Sequence, residues 1–311
     1  MKRKMLNVPK GGYDGMKGFT IVEFLVAGLL SIIVLIAVVS SYFTSRKLND
    51  AANERLAIQQ DLRNAATLIV RDARMAGSFG CFNMSEHTEK DVVFDVAQKN
   101  RPFSLKGSSA NKLIPIAESL NIGYQGFAQV RPALIFQYGI DDVNASAETT
   151  VVSSCGVISK PGKQIPTLED AKKELKIQNS GKEQNGNIAR QRHVVNAYAV
   201  GRIAGEEGLF RFQLDDKGKW GNPQLLVKKV KRMDVRYIYV SGCPEDAGKE
   251  EQFKYTDKFD KSSDAVTPAG VEVLLDSGLD AKIAASSDNS IYAYRINATI
   301  RGGNVCANRT L

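Results

Sequence analysis

Between Phe19 and Val39 a run of about 21 residues carries one charge, Glu23, and is otherwise mostly aliphatic. As a helix, at 1.5 Å per residue, that run is long enough to cross the hydrocarbon core of a bilayer. A carboxylate at bilayer depth costs roughly 2.5 to 3.5 kcal/mol even on lenient insertion scales, so Glu23 needs a reason to be there. Upstream, residues 1–18 hold Lys2, Arg3, Lys4, Lys10 and Lys17 against Asp14 alone, which is half of the chain's net charge of +8. Basic residues on that side mark the flank that stays cytoplasmic. A secretory signal peptide has a shorter apolar region and a small-residue cleavage site, for which Val39-Ser40-Ser41 is the weak candidate. A plain signal anchor is the other simple reading. Neither accounts for Glu23, nor for Gly18 ahead of the run.

From Arg46 to Ala76 there is neither proline nor glycine. Leu62, Ala65, Ala66, Ile69, Ala73 and Ala76 follow an i, i+3, i+4 stripe, with Asp61, Arg63, Arg71, Asp72 and Arg74 mostly on the other face. Leu48, Ala52 and Leu56 extend the apolar side. The spacing predicts one helix from Phe19 to Ala76, a rod of roughly 85 Å, ended by Gly77, whose missing Cβ suits a helix C-terminus. Its first third is apolar all round and its last third amphipathic.

The junction Lys17-Gly18-Phe19-Thr20-Ile21-Val22-Glu23 resembles that of the type IV prepilin family: a basic leader, a glycine, a phenylalanine, and glutamate four residues on. The continuation A-N-E-R-L-A-I-Q-Q-D-L-R-N-A-A-T-L-I-V-R-D-A-R-M-A-G-S-F-G-C is similar to the large minor pilins of the PilW type, as are V-K-K-V-K-R-M-D-V-R-Y and Y-A-Y-R-I-N-A-T-I-R near the end. The resemblance covers about 19 to 82, is looser towards the C-terminus, and is absent between about 90 and 190. It implies a leader over 1–18, removed by a membrane-embedded prepilin peptidase cutting between Gly18 and Phe19, and N-methylation of the new Phe19 amine. It gives Glu23 a partner, that ammonium, in its own helix or on an adjacent subunit, which offsets the cost of burying either charge. An acid in the first turn also faces the positive end of the helix dipole. The simpler role for Glu23 is a helix cap at the interface. Major pilins often have a proline about twenty residues into the mature chain; here there is none between Pro9 and Pro102, and Gly28 alone weakens the apolar helix.

The expected fold class is α+β: a long N-terminal helix packed on a mainly antiparallel β-sheet head with long loops. The divisions are 19–43 for the transmembrane or filament-core part, 44–76 for the amphipathic part, and 77–311 for the head. Strand composition marks 92–96, 132–138, 149–155 and 193–200. A hairpin is expected through G-L-F-R-F-Q-L-D-D-K-G-K-W, turning at Asp216-Lys217-Gly218. M-D-V-R-Y-I-Y-V and S-I-Y-A-Y-R-I-N-A-T-I-R alternate as half-buried strands do. The stretches 160–192 and 241–290 read as long loops, with a short helix near Leu168 to Leu175.

The four cysteines, Cys81, Cys155, Cys243 and Cys306, contain no C-x-x-C, and with only His87 and His193 they make no zinc set. An exported head meets oxidising conditions, so disulfides are the default. Three connectivities are open; Cys81–Cys155 with Cys243–Cys306 is the favoured one, each bond worth roughly 4 kcal/mol.

No cofactor is expected, and no catalysis. The sequence has no G-x-S-x-G, H-E-x-x-H or phosphate loop, and acidic pairs such as Asp141-Asp142 and Glu206-Glu207 read as solvated charge. Lys228, Lys229, Lys231, Arg232 and Arg236 form a basic cluster, but only Tyr237 could stack a base, so direct nucleic-acid contact is not expected. The resemblance implies a minor pilin in the inner membrane with a periplasmic head, later at the pilus tip. Its partners would be other minor pilins, the major pilin, the prepilin peptidase, the assembly platform and a tip adhesin. The alternatives are a minor pseudopilin of a type II secretion system, and a pilin-anchored adhesin or DNA-binding head.

Overall fold

The computed structural model describes residues 18–93, 112–142, 144–176, 187–241, 252–260, 267–276 and 294–300. Residues 1–17 of the expected leader, Cys243 and Cys306 lie outside them. The long helix is a single element, α1, Ile21–Met75. It divides between two compact units, one up to Ala57 and one from Ile58 onward. In the first, every described residue from Gly18 to Ala57 is exposed. In the second, Ile58, Leu62, Ala65, Ile69, Asp72 and Ala73 of α1 are buried.

Alanines at 65, 73 and 76, all fully buried, let the helix backbone come close to its neighbours. The helix ends at Gly77, whose φ of +78° is open to glycine. Its N–H goes across to Gln137 O at 2.9 Å, and a Cβ there would lie 2.9 Å from Pro115. Chain direction therefore reverses with the backbone already tied to the head.

The chain continues through a two-residue ribbon, β1 (Ser78–Phe79) and β2 (Phe82–Asn83). A nine-stranded sheet follows. Its strands are β3 (Val92–Val93), β4 (Ile116–Ser119), β5 (Ala128–Gln129), β6 (Ala133–Ile140), β7 (Thr150–Ser153), β8 (Ile158–Ser159), β9 (Ala189–Ile203), β10 (Glu206–Leu214) and β11 (Trp220–Lys228). β9 organises it: one edge pairs β7 and then β10, the other β6 and then β5. All pairings are antiparallel except β3 with β8. A second, wholly antiparallel sheet has the order β13 (Gln252–Thr256), β12 (Arg232–Ser241), β14 (Gly270–Asp276), β15 (Tyr294–Thr299). The short helix is α2, Leu168–Glu174, capped by the Thr167 side chain on Asp170 N.

Strand alternation explains the layers. Leu134 and Phe136 of β6, Tyr198 and Val200 of β9, and Leu209 of β10 face α1, in one core with Met233, Tyr237, Val271, Val273 and Ile296 of the second sheet. On the opposite face Phe210 and Phe212 are covered by Ile122, Tyr124 and Phe127 from the segment between β4 and β6.

The expected strands are present where described, and the hairpin turns through Asp215 to Gly218, with Asp215 Oδ1 accepting from Lys217 and Lys219. Two expectations fail. The stretch 241–290 is not one loop: it supplies β13 and β14, and β14 sits inside the second sheet. G-V-E-V-L-L-D is buried on both faces, so it reads as an apolar run without the alternation of a half-buried strand. Likewise β9 begins at Ala189, within the expected 160–192 loop.

The Cys81–Cys155 disulfide joins the β1–β2 turn to the end of β7, closing a separation of 74 residues. Replacing both cysteines with alanine is expected to lower unfolding stability by roughly 4 kcal/mol. The fluorescence of the sole tryptophan, Trp220, during urea unfolding measures it.

Candidate functional site

Two places combine unusual chemistry with a defined position: the start of α1 and the point where its last turns enter the core. At the start, Thr20 precedes the first helical residue, and its N–H and hydroxyl both donate to Glu23 Oε2, at 2.9 and 3.0 Å. Glu23 N–H donates back to Thr20 Oγ1 at 3.3 Å. This is a capping box, in which each residue satisfies a donor of the other. Thr20-Ile21-Val22-Glu23 has the spacing for it. Glu23 thus has a local role as a helix cap through Oε2, while Oε1 takes no part in it. Gly18 and Phe19 precede the helix, and Phe19 is 85% exposed. From there to Phe43 the helix presents aliphatic and aromatic side chains to its surroundings on every side. A stretch of it reaches a mean hydropathy of 2.9 with no residue buried, long and apolar enough to cross a membrane.

At the other end, Asp72 is completely buried. Sequence reading set it with the outward charges, yet it is three residues from Ile69 and seven from Ala65, so it lies on the buried stripe. That spacing was the available signal. Oδ1 accepts from Tyr138 Oη at 2.9 Å and from Arg71 Nε and Nη2 at 3.2 and 3.0 Å. Oδ2 accepts from Tyr198 Oη at 2.6 Å and Asn196 Nδ2 at 2.8 Å, with Arg211 Nη2 at 3.6 Å. The donors come from β6, β9 and β10, so one carboxylate ties the helix to three strands. Near a helix C-terminus the backbone disfavours a negative charge; two guanidiniums offset that. Burial first, then the Asp72 charge, pushes the Tyr138 phenol up to about 12 and raises Tyr198 as well, so both remain donors.

A second buried carboxylate also lies beside two arginines. Glu272 of β14 meets Arg236 of β12 at 3.5 Å and Arg295 of β15 at 3.3 Å. That pairing bears on the basic cluster. Lys228 pairs with Glu206 at 3.8 Å, and Arg232 with Asp234. Lys228, Arg232 and Arg236 of that cluster thus have acids beside them.

No protein-family model, curated protein or solved structure matches the chain.

Removing the charge alone, by Asp72→Asn, strands the Arg211 guanidinium in the core and takes the partner of half-exposed Arg71, and is expected to cost about 3 kcal/mol. In a double-mutant cycle with Tyr198→Phe the two losses are expected to add to less than their sum, because they share one bond. His193 gives a pH signature. Burial lowers its pKa from 6.5 to about 3, so the folded state holds it neutral while the unfolded chain takes up a proton. Its contribution is complete above pH 6.5 and is lost as pH falls towards 3. Urea midpoints at pH 7.5 and 4.5 are expected to differ more in the native sequence than in His193→Gln.

Proposed function

We propose that this chain is a non-catalytic, membrane-anchored subunit of the type IV pilin class, a minor pilin that primes assembly of a pilus and joins a complex at its tip. The observation that carries it is one unbroken helix doing two jobs: its first part offers only apolar surface, and its last turns form the core of a folded head. The Gly18-Phe19 junction and the acid at Glu23 support the same reading.

In this account the prepilin peptidase cuts after Gly18, and the Phe19 amine is methylated, which leaves its charge. Thr20 survives the cut, so the cap on Glu23 Oε2 survives too, and Oε1 is free to meet the new ammonium or that of a neighbouring subunit. Pairing makes burial of both charges among packed helices tolerable, whereas one unpaired charge there is penalised. Neighbouring helices then stack with their ends in step. The head resides in the periplasm until extraction from the inner membrane, in keeping with its Cys81–Cys155 bond. Partners are other minor pilins and the major pilin, the assembly platform and a tip adhesin.

Mass spectrometry of the mature protein is expected to find N-methylated Phe19 as the first residue; any other first residue removes the basis of the proposal. Glu23→Val is expected to leave processing intact and the melting of the head unchanged, but to abolish co-purification with sheared filaments. Undiminished recovery of that variant in filaments would separate Glu23 from assembly.

A further inference from the structure

Beside Asp72 a cleft of about 360 Å³ opens between the end of α1 and strands β6, β9 and β10. Arg71, Arg192 and Arg211 line it, and among the described residues no carboxylate does. Between them stand the apolar walls Met75, Ile140, Val195 and Leu214. The volume suits a small ligand or a single side chain.

The charges around it do not balance. Asp72 is one carboxylate serving two guanidiniums. Arg71 takes Oδ1 with two hydrogen bonds, while Arg211 comes only within 3.6 Å of Oδ2. The Arg211 side chain is 10% exposed, and its Nε is buried without an acceptor among the described residues. Arg192 reaches Asp142 at 3.8 Å, beyond hydrogen-bond distance. His193 also lines the cleft and, held neutral by burial, adds no charge at neutral pH. A buried donor with capacity to spare, as at Arg211 Nε, is costly until an acceptor arrives, while half-exposed Arg71 and Arg192 bring charge to the mouth of the cleft.

We infer that this cleft is a binding site for a carboxylate borne on a short aliphatic group. The Arg192 fork, with Arg71, matches the two oxygens of a carboxylate in plane. Met75, Ile140 and Leu214 receive the alkyl part. A free branched-chain acid and the C-terminal residue of a polypeptide both present that chemistry. The site is a property of the head and does not depend on the role proposed for the N-terminal junction.

Ligand-observed NMR titration of the full-length chain in detergent micelles tests it. The probes are 3-methylbutanoate, its neutral amide, inorganic phosphate, and a tripeptide ending in leucine with a free or an amidated C-terminus. The carboxylates are expected to bind with Kd of about 1 mM, and each amide about tenfold more weakly. The tighter of acid and peptide names the source. Arg192→Gln, a change at a half-exposed side chain, is expected to weaken the carboxylates about tenfold, and Arg192→Lys less. Trp220 fluorescence verifies that both variants fold, and the acid-against-amide comparison requires no variant. Equal binding of acid and amide, tighter binding of phosphate than of either carboxylate, undiminished binding by Arg192→Gln, or no saturation up to about 50 mM would each overturn the assignment.

Discussion

The head depends on a single carboxylate taken out of water. Asp72 sits where a leucine would give an easier core, and its burial is compensated only because five hydrogen bonds converge from Arg71, Tyr138, Asn196 and Tyr198. Apolar packing alone is permissive. Alanines and isoleucines against a sheet let a helix make small adjustments of its seat. A charge with fixed donors does not allow that, since a slip leaves both the acid and the two guanidiniums unpaired. The orientation of α1 in the core, and so which of its faces points outward, is set there.

The second sheet repeats the device with Glu272 between Arg236 and Arg295. Against each sheet one buried acid thus meets two arginines, Asp72 from α1 on the first and Glu272 within the second. At the other end of α1, Glu23 is also a carboxylate satisfied by its neighbours, but there one oxygen is given to the cap and the other is not. Two acids on one helix therefore differ in what they leave available: Asp72 is saturated within its own chain, and Glu23 has capacity to spare.

Much of this was legible in the sequence, for identifiable reasons. The helix was, because a run without proline and glycine, an apolar stripe and a terminal Gly77 agree with one another. The strands were, because the sequences of β10, β12 and β15 alternate and those of β6 and β9 have strand composition. β14 was not, since a strand buried on both faces loses its period and its flanks are rich in Asp, Ser and Lys. Asp72 was misplaced because charged residues are assigned outward by default, even though its position on the stripe at Ile69 + 3 pointed inward. Apart from Arg71, its hydrogen-bond donors lie 66 to 126 residues downstream, and no local pattern links them. The bond between Cys81 and Cys155 was within reach because both flank recognisable elements; Cys243 and Cys306 fall outside the described residues.

The same separations carry a consequence for biosynthesis. Tyr198 is 126 residues beyond Asp72. A ribosome adding 5 to 20 residues per second needs roughly 6 to 25 seconds to cover that distance. Until β6 emerges the turns from Ile58 to Ala76 have no strand to lie on, and until β9 follows the carboxylate lacks Asn196 and Tyr198. Translation thus delivers the helix well before its seat exists, and the head can close only once β9 has emerged, from the middle of the chain outward in both directions.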